Sequence, residues 1–305
     1  MASDVEQAGI RASTYRNYVH AYSVYCQHKG YPSAAHIADQ HSALPWSQNA
    51  QANGMLSDDL RRHLFRGWLT LHTLSSLPID SQPDLAIGAS MWLPVQAYYA
   101  CHGVGLAALC ALGAQMPSPA EHTHRRFLNI ASVNIVQSGL LLPPWNIHCT
   151  GDCTQDGDEQ FHGTQVTPAE VIATHNLSAP GTPEHAELLI AKALKTTRRA
   201  VLEERQQQTR RQKHRKRLSQ AQKQTICNNT EHTTCFDFLY RMRICSNYED
   251  ADLFLFGQGQ DAALDHCTRV IWLADSICTQ LNCAIRRKLG AAAYQQLLDQ
   301  YAKHH

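Results

Sequence analysis

The chain has 305 residues, 44% of them hydrophobic, with 27 Lys and Arg against 26 Asp and Glu, a formal net charge of +1. That length suffices for one large core or two small ones, and the overall charge balance predicts no polyanion partner. No apolar run approaches the roughly 18 residues of a membrane span. The opening MASDVEQAGI carries two acids and no apolar leader segment, so no membrane association is expected and the cytoplasm is the expected location. The 11 cysteines are odd in number and irregularly spaced, which reads as reduced, mostly core-facing thiols.

The spacing of Tyr15, Tyr18, Tyr22 and Tyr25 predicts a helix over 13–29, ended by Gly30, Tyr31 and Pro32. Residues 40–54 read as a polar loop. A second helix opens at Ser57, with Asp58 and Asp59 in its first turn and a stripe of Leu60, Leu64, Trp68 and Leu71. Residues 87–112 are apolar on every face, as a central buried helix would be, and Gly113 is its expected stop. Ser118-Pro119-Ala120-Glu121 has the form of a capping box and opens a helix carrying His122, His124, Arg125, Arg126 and Phe127.

Residues 141–183 lose all periodicity, although Thr167-Pro168-Ala169-Glu170 would cap one short helix. Thr182-Pro183 starts a long helix expected to reach about residue 220, apolar at first and then basic through RRQKHRKRLSQAQKQ. Leu264, Cys267, Ile271, Ala274, Cys278, Leu281 and Ile285 alternate steps of three and four, an apolar seam on a last long helix ending at Gly290. Nothing in the pattern predicts a sheet, so the fold class is all-α.

Three stretches hold the residues with chemistry to offer: Tyr98-Tyr99-Ala100-Cys101-His102, then His122-Thr123-His124-Arg125-Arg126, then Tyr240 to Asp252 with Arg241, Arg243, Asn247 and Tyr248. In this order they resemble the HEPN superfamily (higher eukaryotes and prokaryotes nucleotide-binding). The resemblance implies a HEPN-like helical bundle with an N-terminal helical extension. Residues 1–84 would be that extension, 85–140 and 231–290 the core, 141–230 an insert of irregular chain and basic helix, and 291–305 a tail. It also implies metal-independent RNA cleavage, often at a homodimer, by an arginine that stabilises phosphorane charge and a histidine that moves the ribose proton. Arg241 and Arg243 match the arginine, but Asn247 stands where histidine belongs, and an amide is no general base. His102, His122 and His124 are the alternative bases, and Tyr248 a candidate phosphate or base contact. Plainer readings stand beside these: core packing for Tyr98 and Tyr99, satisfied or surface histidines, and ion pairs from Arg241 and Arg243 to Asp250 or Asp252.

Between Lys192 and Lys223 lie twelve Lys or Arg against Glu203 and Glu204. Arg198, Arg199, Arg210, Arg211, Lys213, Arg215, Lys216 and Arg217 are the expected RNA-backbone contacts, without aromatics for stacking. A solvated face, or an arm pairing with an acidic partner, is the competing account. His148, Cys149, Cys153 and His162, with Cys227, His232 and Cys235, lack Cys-x-x-Cys spacing, so no metal is expected, and no cofactor motif occurs. The expectation is an RNA-directed effector, a ribonuclease of a toxin or antiviral system. The alternatives are a catalytically silent nucleotide-binding or regulatory partner module, and a helical protein–protein adaptor.

Overall fold

The computed structural model describes residues 4–44, 57–82, 84–114, 123–155, 157–212, 214, 216–249 and 259–304. Eleven α-helices run through the described residues, with two short strands, so the all-α class holds. In chain order the first helices are α1 (Asp4–Lys29), α2 (Ala34–Ser42), α3 (Asp58–Ser75), α4 (Leu85–Leu112) and α5 (His124–Ala131). A π-helical turn, Ser132–Gln137, leads to β1 (His148–Gly151), β2 (Glu159–His162) and α6 (Pro168–Ala173). Then come α7 (Pro183–Gln212), α8 (Gln220–Asn228), α9 (Cys235–Ile244), a second π turn Cys245–Glu249, α10 (Gln260–Leu289) and α11 (Ala291–His304).

α4 is the axis of the fold and packs against α3, α9 and α10, while α1 packs against α7 and α10. From its middle onward α4 is enclosed, with Leu93, Ala97, Tyr98, Ala100, Cys101, Val104, Ala107 and Leu109 buried on all sides, while Leu85, Gly88 and Trp92 near its start are exposed. Contrary to the sequence reading, one segment does have the length and apolarity of a membrane span, and it is α4; 72% of its most apolar window is buried inside the fold. Gly113 ends it in the left-handed region at φ 71°. α3 crosses α4 where Gly67 faces Gly103: a Cβ on Gly103 would lie 2.8 Å from the Gly67 Cα. The seam on α10 is core, with Cys267, Ala274, Cys278, Leu281 and Ile285 fully buried. All eleven cysteines are free thiols, nine of them buried.

Several boundaries differ from the sequence reading. α1 begins at Asp4, and α2 occupies the start of the expected 40–54 loop, capped by Ser33. The Ser118–Glu121 box lies outside the described residues; the described helix opens at His124, with Thr123 accepting from the Arg126 N–H at 3.2 Å. A sheet does exist: β1 and β2 form a small antiparallel hairpin with His148 opposite His162. Four-residue strands carry too little alternation to register as a pattern. Thr167 and Glu170 form the expected capping box on α6. α7 stops at Gln212, His214 adopts φ 50°, and Ser219 caps a separate α8. The tail is helical: on α11 Leu297 is buried, and Tyr294 and Tyr301 set their rings against Trp68 at 5.9 and 5.3 Å.

Candidate functional site

α9 is positioned by its own N-terminus. Thr234 caps it, and Asp237 accepts from the Thr234 N–H at 2.9 Å and its hydroxyl at 3.1 Å. Tyr240, Arg241 and Arg243 follow on the last turns. Tyr98 and Tyr99 sit mid-way along α4 with His102 a turn later, and His124 is the first residue of α5.

These elements bring the three sequence stretches together. A hydrogen bond of 2.9 Å joins the Tyr98 hydroxyl and His124 Nδ1. The His124 ring is 5.4 Å from His102, 5.8 Å from Tyr99 and 5.5 Å from Tyr240. The Arg243 guanidinium donates to the Tyr99 hydroxyl at 3.1 Å and lies 5.9, 5.2 and 5.5 Å from the rings of Tyr98, Tyr99 and Tyr240. Burial holds the Tyr98 phenol far above the usual tyrosine range. Buried tyrosine hydroxyls and a cation over aromatic faces also describe a well-packed core, and the geometry serves both readings.

Arg241 lies elsewhere. It lines a cleft of about 650 Å³ between α7 and α9, with Tyr240, Arg125, Arg210, Glu204 and Asp237 among its walls. Arg125 reaches Glu204 at 3.1 Å and Asp237 at 3.8 Å. Burial raises the Asp237 carboxyl above its usual range, opposed by the Thr234 N–H and by Arg125. A second, more open cleft of about 550 Å³ shares Gln207 and Arg210 with the first and adds Arg211, His214 and Lys216, with no acid among the described residues of its walls. The two adjoin at Gln207 and Arg210, mixed in charge at the Arg241 end and basic at the other.

The remaining predicted residues divide. Asn247 is half-buried on the π turn; Tyr248 lies on the same turn with its side chain outside the described residues, as do His122, Lys213, Arg215, Asp250 and Asp252. Arg210, Arg211, Lys216 and Arg217 are exposed. Arg199 is exposed and paired with Glu203 at 3.0 Å. Arg198 corrects the sequence reading: it is 1% exposed and donates to the carbonyls of Gly151 at 2.7 Å, Glu231 at 2.8 Å and Thr230 at 3.4 Å, so it offers nothing to a phosphate.

The His and Cys residues weighed as zinc ligands fall into separate groups. Cys149 and Cys153 approach to 3.5 Å between sulfurs, and His148, His162 and His232 pack ring to ring. Among the described residues no three His, Cys, Asp or Glu side chains are arranged to hold a metal ion. Asp237 was not singled out by sequence, and Arg125 and Tyr240 stood in the quoted stretches without an assigned role. Thr234-x-x-Asp237 is a readable capping box, whereas nothing local to Tyr240 marks it as a wall of the cleft. Comparison with protein-family models, curated proteins and solved structures finds no match for this chain.

Proposed function

We propose that this protein acts on RNA as a metal-independent endoribonuclease, with the phosphate chain lying in the groove between α7 and α9. The observation that carries the reading is the meeting of Tyr98, His102, His124 and Arg243, from three distant stretches, beside a groove that holds Arg241 and runs onto exposed Arg210, Arg211 and Lys216. Tyr240 belongs to both, lining the groove and packing 5.5 Å from His124.

In this reading Asn247 has no proton to move and His124 takes the base role. With its Nδ1–H given to the Tyr98 oxygen, its Nε2 accepts the proton of a ribose 2′-hydroxyl. That oxygen attacks the adjacent phosphorus, the bond to the 5′-oxygen breaks, and the leaving oxygen takes a proton from the imidazolium or from water. The products are a 2′,3′-cyclic phosphate and a free 5′-hydroxyl. Arg241 stabilises the charge that builds on the phosphoryl oxygens. The setting is the cytoplasm, in a toxin or antiviral response, with a homodimer as the working unit.

The test is incubation with total RNA and with tRNA in EDTA, beside Arg241→Ala and His124→Gln. The wild type is expected to cut and both variants to lose at least about 100-fold in rate while keeping the fold. An Arg241→Ala protein that cuts at the normal rate would sink the assignment. A second reading, a binding module that no longer cuts, is favoured by the engagement of Arg243 with Tyr99 and three rings and by Asn247. It expects salt-sensitive RNA retention without cleavage.

A further inference from the structure

The three histidines that pack together lie outside the groove and on three separate segments. His148 is on β1, His162 opposite it on β2, and His232 in the loop before α9. Their rings are nearly parallel, at 13°, 24° and 16°, with centroids 4.9 Å apart for His148–His162, 4.9 Å for His148–His232 and 5.4 Å for His162–His232. They close a joint that the main chain holds at one place: Cys149 and Thr233 exchange two backbone hydrogen bonds of 2.9 Å. Arg198 braces the same joint from α7.

Such a packing suits neutral rings. The Asn146 carbonyl fixes His148 Nδ1 as a donor at 2.9 Å, and His162 Nε2 meets the Thr150 hydroxyl at 2.9 Å. His232 Nδ1 is buried without a hydrogen-bond partner, so it has no acceptor waiting for a proton. A charge on any ring would lie about 5 Å from the other two, and one on His232 would also meet the Arg198 guanidinium, in a partly desolvated site.

We propose that His148, His162 and His232 form a proton-operated clasp that holds the β1–β2 hairpin against the segment before α9 at neutral pH and releases it in acid. Release widens the already open polar cleft of about 530 Å³ that the hairpin and α8 line. The groups acting on the His232 ring are His148 and His162 from the hairpin and Arg198 from α7, and the carboxylates of Asp152, Asp158 and Glu231 line the same cleft as His232. Asp152 is already engaged by the Thr154 N–H at 3.0 Å and hydroxyl at 2.6 Å, and the Glu159 carboxylate by Lys195 at 2.6 Å. Burial, then the neighbouring histidines and Arg198, bring His232 down to about 4, and burial also lowers His148. The sign follows: the released segment binds protons that the closed one does not. The clasp therefore holds fully above the ordinary histidine value of about 6.5 and weakens as pH falls toward about 4.

Amide hydrogen exchange of the full chain in EDTA, corrected for intrinsic rates, tests this between about pH 7.5 and about pH 5. Protection across 147–162 and 230–234 is expected to fall at least about tenfold, while peptides from α4 hold theirs. The triple variant His148→Gln, His162→Gln, His232→Gln is expected to lose that pH dependence, and His232→Gln alone to reduce it. Should the triple variant not fold, ring-proton titration of the wild type by NMR decides, with at least one of the three expected to titrate below 5.5. Equal protection at both pH values, or three ordinary titrations, would overturn the clasp. So would a stoichiometric zinc complex on these rings, which would make them ligands.

Discussion

Arg198 stands in the middle of the basic strip, yet it behaves as the opposite of a surface charge. Leu194 four residues before it and Val201 and Leu202 after it are buried, so the helical period places Arg198 on the core stripe of α7. The signal was in the sequence, but charge density outweighed periodicity. Its donors hold the carbonyls of Gly151, Thr230 and Glu231, beside the Cys149–Thr233 backbone pair that joins the same two segments. Arg198→Met leaves those acceptors without their cation and is expected to cost about 3 kcal/mol or more in urea unfolding. Arg199→Met, one residue on and paired only at the surface, is expected to change stability by less than about 1 kcal/mol. Equal effects for the two would contradict the assignment. The Tyr98–His124 pair was half legible: both residues stood out, but nothing local to either announces a contact between residues 26 positions apart.

At the level of elements, the sequence was clearest where a cap and a periodic face agree. Ser57 before α3, Thr167 before α6, Gly113 after α4 and Gly290 after α10 all punctuate where their chemistry requires. It was weakest where tertiary packing decides. The hairpin persists because Thr233 pairs with Cys149 and Arg198 grips Gly151, both distant in sequence. The α3–α4 crossing is another such case, since Gly67 and Gly103 look like ordinary helix-weakening glycines until the two backbones are seen in contact. Gly103→Ala is expected to destabilise by about 1–3 kcal/mol through overpacking against backbone. Gly88, exposed on the same helix with open space at its Cβ position, should gain up to about 1 kcal/mol as Gly88→Ala from helix propensity. Thermal melts of the two variants are expected to move in opposite directions.

Across the whole molecule, α7 joins two environments. Its first half is core, from Ala186 to Leu202, and its last turns carry Arg210 and Arg211 into solvent. Changing Arg210, Arg211 and Lys216 to glutamine should weaken RNA binding equally for all sequences. It should also lower the slope of log affinity against log salt by about 2. Unchanged slopes would mean that this end of the groove faces something other than a nucleic-acid backbone. At this scale the sequence displayed the strip but hid its shape, because the helix break at Gln212 and the cleft shared through Arg210 depend on how α7, α8 and α9 meet.

The arrangement of α7 has an electrical consequence. The segment Lys192–Lys223 carries a formal charge of +10, and the rest of the chain, with 15 basic and 24 acidic residues, carries −9. α7 itself, 30 residues or about 45 Å long, carries seven of those basic residues against four glutamates and ends on exposed Arg210 and Arg211, while the rest of the chain is of opposite sign. A molecule nearly neutral in total is then a strong permanent dipole. In a field gradient it feels a torque before it feels a net pull, so near a polyanion it turns to present Arg210 and Arg211 first, and it does so only within the roughly 8–10 Å that salt leaves unscreened.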